Sequence, residues 1–114
     1  MISSLIAMTL AAAAPGPSPD AIARARKAYS ACLSGFMKKS IKDGAEASAF
    51  ETGLAPACAT QEQAFRAAVI SADTAAGIKR AAAEENAKFE IDDLLNNTKE
   101  MFKDAKSNPP APGA

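Results

Sequence analysis

Apolar residues recur at steps of three and four along most of this chain, which is the pattern of amphipathic α-helices. The first stripe reads Ile22, Ala25, Tyr29, Cys32, Leu33, Phe36 and Met37. Ser18, Pro19 and Asp20 before it are typical of a helix start. Gly44, which follows a group of lysines, is typical of the residue after a helix end. The pattern therefore predicts a first helix over about residues 19–42.

A second, shorter helix is predicted over about residues 45–55. Phe50 and Leu54 lie four apart and would share one face. Gly53 weakens this helix, and Pro56 is expected to stop it.

A third helical segment opens at Thr60 and Gln63, which have the spacing of a capping box. Its stripe is Phe65, Val69, Ala72, Ala76, Lys79, Ala83, Ala87, Ile91, Leu94, Thr98, Met101 and Ala105. We favour one long helix over about residues 60–105, straight or kinked, which would be about 70 Å long. The first helix is too short to cover it. A break near Gly77 or at the asparagine pair 96–97 with a fold back, and pairing with another chain as a coiled coil, are the alternatives.

The two ends of the chain differ in composition from the middle. Residues 1–14 are apolar and alanine-rich and precede a proline-rich stretch at 15–19, which predicts a signal peptide followed by a spacer. No Lys or Arg occurs before Arg24, so an Ala/Pro-rich N-terminus on a cytosolic protein is the alternative. Residues 107–114 contain three prolines and are expected to be a disordered tail. A single helical domain is then expected over residues 20–106.

Cys32 and Cys58 are the only cysteines, 26 residues apart. In an exported protein such a pair is expected to form a disulfide. Gly44 lies twelve residues after the first and fourteen before the second, so a helical hairpin that turns there would bring them level. We therefore predict an all-α fold in which a hairpin closed by one disulfide precedes the long helix. A redox or zinc role is disfavoured, because the spacing is not C-x-x-C and the chain has no histidine.

Charge is balanced, with 13 basic and 13 acidic residues, but it is unevenly distributed. The first helix carries a basic set: Arg24, Lys27, Lys38, Lys39 and Lys42. One hypothesis is a surface that binds anionic lipid or polysaccharide. The favoured alternative is an ordinary solvated face balanced by acidic neighbours, so a membrane-surface role is the lesser expectation. Aromatic residues do not interleave with the basic ones, which argues against a nucleic-acid partner.

The chain offers few groups for catalysis. It has no histidine, no tryptophan and one tyrosine, and it contains neither a G-x-S-x-G elbow nor a glycine-rich phosphate loop. C-x-x-C-H, the attachment motif of c-type haem, is also missing. We expect no enzyme activity, no cofactor and no metal site.

Three stretches carry a resemblance to known proteins: ACLSGFMKKSIKDG, AFETGLAPACATQEQAFRAA and GIKRAAAEENAKFEIDDLLNNTKE. Over about residues 20–103 the chain resembles a group of small exported α-helical proteins of Gram-negative bacteria with one disulfide. The group has no known activity, so the resemblance implies an exported helical domain and assigns no functional residue.

We therefore expect a non-catalytic, periplasmic or secreted protein-interaction module that acts through its helical faces. The apolar positions expected to meet a partner are Ile91, Leu94, Leu95, Met101 and Phe102. The partner would be another protein or a second copy of this chain in a homodimer. An envelope-surface binder that uses the basic first helix, and a small periplasmic chaperone or inhibitor, are the alternatives.

Overall fold

The computed structural model describes residues 19–108. In this range the chain forms only α-helices: α1 (Pro19–Lys42), α2 (Ala47–Ala57), α3 (Ala59–Ala75) and α4 (Arg80–Ser107). The predicted all-α fold is therefore confirmed. The signal peptide at 1–14, the spacer except for its last residue, and all but the first two residues of the tail lie outside the described residues.

The turn after α1 depends on Gly44. Its φ is +70°, a left-handed conformation in which other residues are strained. The Ala45 amide donates to the Ser40 carbonyl at 2.9 Å, and the Gly44 amide donates to the Ile41 carbonyl at 3.1 Å. These bonds satisfy the last carbonyls of α1 and send α2 back along it. The first helix thus begins and ends where the sequence predicts.

The junction between α2 and α3 differs from the sequence prediction. Pro56 lies inside α2 rather than after it, and Cys58 alone separates the two helices. The predicted capping box is wrong as well, because Thr60 lies within α3 and the N-terminus of α3 has no side-chain cap. The Cys58 carbonyl accepts a bond from the Glu62 amide at 2.9 Å, so the cysteine itself starts the helix.

The third predicted segment forms two helices, α3 and α4, so the favoured prediction of one long helix over residues 60–105 is wrong. The chain reverses at Gly77, whose φ of +91° suits glycine alone. The Ile78 amide donates to the Asp73 carbonyl at 3.0 Å, which closes the end of α3. The asparagine pair 96–97, the other suggested break point, lies inside α4. The fold back buries the apolar stripe of α4 against the rest of the chain, which a straight helix would leave in water.

Neighbouring helices pack with defined directions. The Tyr29 and Phe65 rings stack at 6.2 Å between α1 and the antiparallel α3. Arg26, early in α1, pairs with Glu90, early in α4, at 2.8 Å. Because residues late in both helices also line one hollow, α1 and α4 run in the same direction.

The core is small and rich in aromatic rings. Its buried members are Tyr29, Leu33, Met37, Phe50, Leu54, Cys58, Phe65, Val69, Ala87, Ile91 and Phe102. Phe50 of α2 lies between Phe36 of α1, at 5.8 Å, and Phe102 of α4, at 4.0 Å, measured between ring centroids. Gly53 lies close to this packing, since a Cβ there would lie 3.0 Å from the tip of the Phe36 ring and would displace it by a few tenths of an ångström. A run of stacked rings thus joins three of the four helices.

Tyr29 is fully buried, and its hydroxyl has no hydrogen-bond partner among the described residues. Burial raises the pKa of Tyr29 to about 12, and the Glu62 carboxylate adds to this effect. The neutral phenol is thus favoured in the folded state. Its contribution to stability is complete below pH 10, the usual pKa, and is lost as the pH rises from 10 to 12, a total of about 3 kcal/mol.

This prediction can be measured directly, because Tyr29 is the only tyrosine and the chain has no tryptophan. Absorbance of tyrosinate at 295 nm should titrate with a midpoint near 12 in the native protein and about 10 in denaturant. Tyr29→Phe should remove the added loss of stability in strong alkali without lowering stability at neutral pH, because the hydroxyl it deletes is unsatisfied. A native midpoint equal to the denatured one would contradict the burial of this hydroxyl.

Candidate protein-binding surface

Cys32 and Cys58 form the predicted disulfide, with a Cα–Cα distance of 5.9 Å. It joins the middle of α1 to the junction of α2 and α3. No cysteine of the chain is free, and Cys58 is fully buried. A structural disulfide of this kind is typical of proteins that fold in an oxidising, non-cytoplasmic compartment.

Most of the apolar positions predicted to meet a partner lie in the chain's own core. Ile91 and Phe102 are each 2% exposed, and Leu94 and Leu95 are half-buried against the same cluster. The expectation of an exposed stripe is therefore corrected for these four, because the fold back at the α3–α4 turn covers the stripe with α1, α2 and α3. Only Met101, 47% exposed, remains open to solvent.

Phe89 is the largest exposed apolar side chain of the described residues, at 75%. It lies on α4 between Lys88 and Glu90, off the stripe that forms the core. It is not among the apolar positions that the sequence pattern predicts to meet a partner. A signal was present, since a phenylalanine that breaks the helical period of its own core stripe has no intramolecular reason to be apolar.

Phe89 and Met101 are joined by shallow hollows along the seam between α1 and α4. One hollow is lined by Arg26, Phe89, Asp93 and Leu94 among others. The next shares Leu94 and continues through Ser34, Met37, Asn97 and Met101. The twelve residues from Phe89 to Met101 span about 18 Å of helix. We call this surface, made of the hollows and the exposed side chains along both edges, the α1/α4 face.

The α1 edge of this face is basic. Ser34 lines the hollow, and Lys27 and Lys38 lie seven residues before it and four after it, which places them on the same side of the helix. Both are exposed and neither forms an ion pair with another described residue. Asp20 shares this side at the start of the helix. Arg24, Lys39 and Lys42, the rest of the predicted basic set, are exposed too but lie farther round α1.

The α4 edge is acidic. Asn97 lines the hollow, and Asp93, Glu100 and Asp104 lie four before it and three and seven after it. All three carboxylates are exposed and unpaired among the described residues. Asp93 also lines the hollow beside Phe89. The face thus presents apolar groups between a basic edge and an acidic edge.

A larger hollow lies elsewhere among the described residues, between α3 and the start of α4, and is lined by two arginines. Arg66 donates to Glu62 at 2.7 Å, and Arg80 donates to Glu84 at 3.1 Å. Because each guanidinium already has a carboxylate partner on its own helix, this hollow holds no uncompensated positive charge for an anion.

Other kinds of site find no support in residues 19–108. No group of three or more acidic or cysteine side chains is placed to hold a metal ion in this range. None of the four helices is both long and apolar enough to cross a membrane. The chain matches no protein-family model, no curated protein and no solved structure. The resemblance to small exported disulfide proteins therefore stays a prediction.

Proposed function

We propose that this protein is a non-catalytic protein-binding module of the periplasm or the secreted fraction, and that it binds through its α1/α4 face. The exposure of Phe89 is the observation that carries the proposal. Burying a phenylalanine side chain contributes about 1.5 to 3 kcal/mol, a gain that this ring forgoes in the single chain and can realise against a partner. An aromatic residue beside a hollow, inside a polar rim, is also the usual form of an interface hot spot.

The compartment is proposed on two grounds. The disulfide supports an oxidising environment, and the predicted signal peptide at 1–14 supports export.

The charges of the face favour a protein over a membrane as its partner. The two edges of the hollows carry Lys27 and Lys38 on one side and Asp93, Glu100 and Asp104 on the other. An anionic membrane would attract the first edge and repel the second, so the surface as a whole gains little from it. A protein can match both signs at once, and such matching sets specificity.

Site-specific photo-crosslinking in cells that produce the full chain tests this function. Benzoylphenylalanine placed at Phe89 or at Asn97 should give adducts of higher mass on irradiation, because both positions lie on the α1/α4 face. Gln63, which is exposed on α3 at the other hollow, is the matched control and should give none. Adducts of equal yield at all three positions, or none at Phe89, would contradict the proposal.

A further inference from the structure

We infer that the α1/α4 face binds a second copy of this chain, in a parallel dimer whose two-fold axis runs along the seam between α1 and α4. The inference rests on the proposed function and names the partner. The positions of the charges along the two helices carry it. A rotation of 180° about this axis places the basic α1 edge of each copy against the acidic α4 edge of the other.

The relative height of the helices is fixed by their contacts. Arg26 forms an ion pair with Glu90 at 2.8 Å. Each residue of α1 therefore lies at the same level along the helix axes as the residue of α4 whose number is higher by 64. Met37 and Met101 line one hollow and keep the same difference. The two helices therefore run side by side in register over most of the length of α1.

A two-fold axis along the seam places α1 of each copy against α4 of the other. The position of each residue along the helix axes, which we call its height, stays unchanged. Lys27 would then lie about 3 Å in height from Asp93 of the second copy. Lys38 would lie at a height between Glu100 and Asp104 of the second copy, again about 3 Å from each. Symmetry repeats every one of these pairings, so all four lysines of the two copies face carboxylates.

The other face-to-face arrangement is excluded by the same charges. An axis that crosses the seam at a right angle would place α1 against α1 and α4 against α4. Lysines would then face lysines and carboxylates would face carboxylates, and such like-charge pairing is strongly unfavourable at an interface. The charge pattern therefore specifies both the partner and its direction.

The apolar part of the face fits the same geometry. Phe89 would lie level with the stretch of α1 that contains Ala23, an exposed small residue, with Arg24 and Lys27 of the second copy beside it. A flat alanine surface accepts the ring, and the long side chains next to it can cover its edges. If the contact runs along all 24 residues of α1, about 36 Å, two adjacent helices each about 10 Å wide offer about 700 Å² per copy, which is near the area of a standard interface.

Charge reversal provides a specific test by analytical ultracentrifugation of the full exported chain. Lys27→Glu with Lys38→Glu makes both edges acidic, and Asp93→Lys with Glu100→Lys gives both edges a net positive charge even though Asp20 and Asp104 remain. Each variant alone should dimerise at least about tenfold more weakly than the native chain. An equimolar mixture of the two should form a heterodimer, because each edge then meets an opposite charge across the seam.

The matched control for the Lys27→Glu, Lys38→Glu variant is Lys39→Glu with Lys79→Glu, which makes the same change in net charge at exposed positions away from the face and should leave the dimer intact. Native chain that sediments only as a monomer, or a dimer unaffected by either reversal, would overturn the inference. Adducts to a different protein at Phe89 together with a monomeric native chain would overturn the dimer alone and leave protein binding as the function.

Discussion

Removing the disulfide by the double substitution Cys32→Ala and Cys58→Ala is expected to lower the free energy of unfolding by about 3.5 kcal/mol. The bond closes a loop of 26 residues, and the loss follows from the greater freedom of the opened chain in its unfolded state. A domain of this size has a total stability of about 5 to 15 kcal/mol, so the loss is a large fraction. Urea denaturation followed by circular dichroism at 222 nm measures it.

The position of the bond adds a structural expectation. The closed loop contains all of α2, a short helix that packs mainly on α1 and α4. In the variant, amide hydrogens of α2 should therefore exchange sooner than those of α3. Reduction of the native chain is the control and should give the same loss, whereas the variant should not respond to reductant. A loss below about 1 kcal/mol would mean that packing alone holds the hairpin together.

The parts of the fold that the sequence predicts well are those fixed by local rules. The bounds of α1 follow from Pro19 at its start and Gly44 after its end, where backbone geometry admits few other residues. Pairing of Cys32 with Cys58 follows from there being only two cysteines and one hairpin between them. Neither prediction required knowledge of distant contacts.

The turn at Gly77 could not be settled in this way. The apolar stripe continues through it without a change of period, because Ala76 and Lys79 occupy stripe positions on either side. The helix stays straight only if other residues bury the second half of the stripe without a turn. Which residues can do so depends on the whole fold and not on the local sequence. Once α4 folds back, Ala83 and Ala87 reach full burial and let the helices approach closely.

The fold back at Gly77 also explains why most of the predicted interaction residues lie in the core. Periodicity identifies which positions are apolar on one side of a helix, but it does not tell what covers them. Ile91 belongs to the predicted stripe and is core, whereas Phe89 departs from it and is exposed. For this chain, the apolar residue that departs from the helical period is therefore the better indicator of a binding surface.

Phe102→Ala should be the most destabilising single substitution in α4, with a loss of about 4 kcal/mol in the free energy of unfolding. The ring is 2% exposed and stacks on Phe50 at 4.0 Å, and through it on Phe36. Its removal leaves a cavity where α1, α2 and α4 meet, at the end of the molecule farthest from the α3–α4 turn. Urea denaturation of the purified variant measures the loss.

Phe89→Ala is the matched control, because it makes the same chemical change on the same helix at a side chain 75% exposed. Its stability should stay within about 0.5 kcal/mol of the native value, while its self-association should weaken because the aromatic contact of the α1/α4 face is lost. The two phenylalanines are thus expected to separate folding from binding. A Phe89→Ala variant that unfolds as readily as Phe102→Ala would place this ring in the fold of the single chain and remove the main support for the proposed interface.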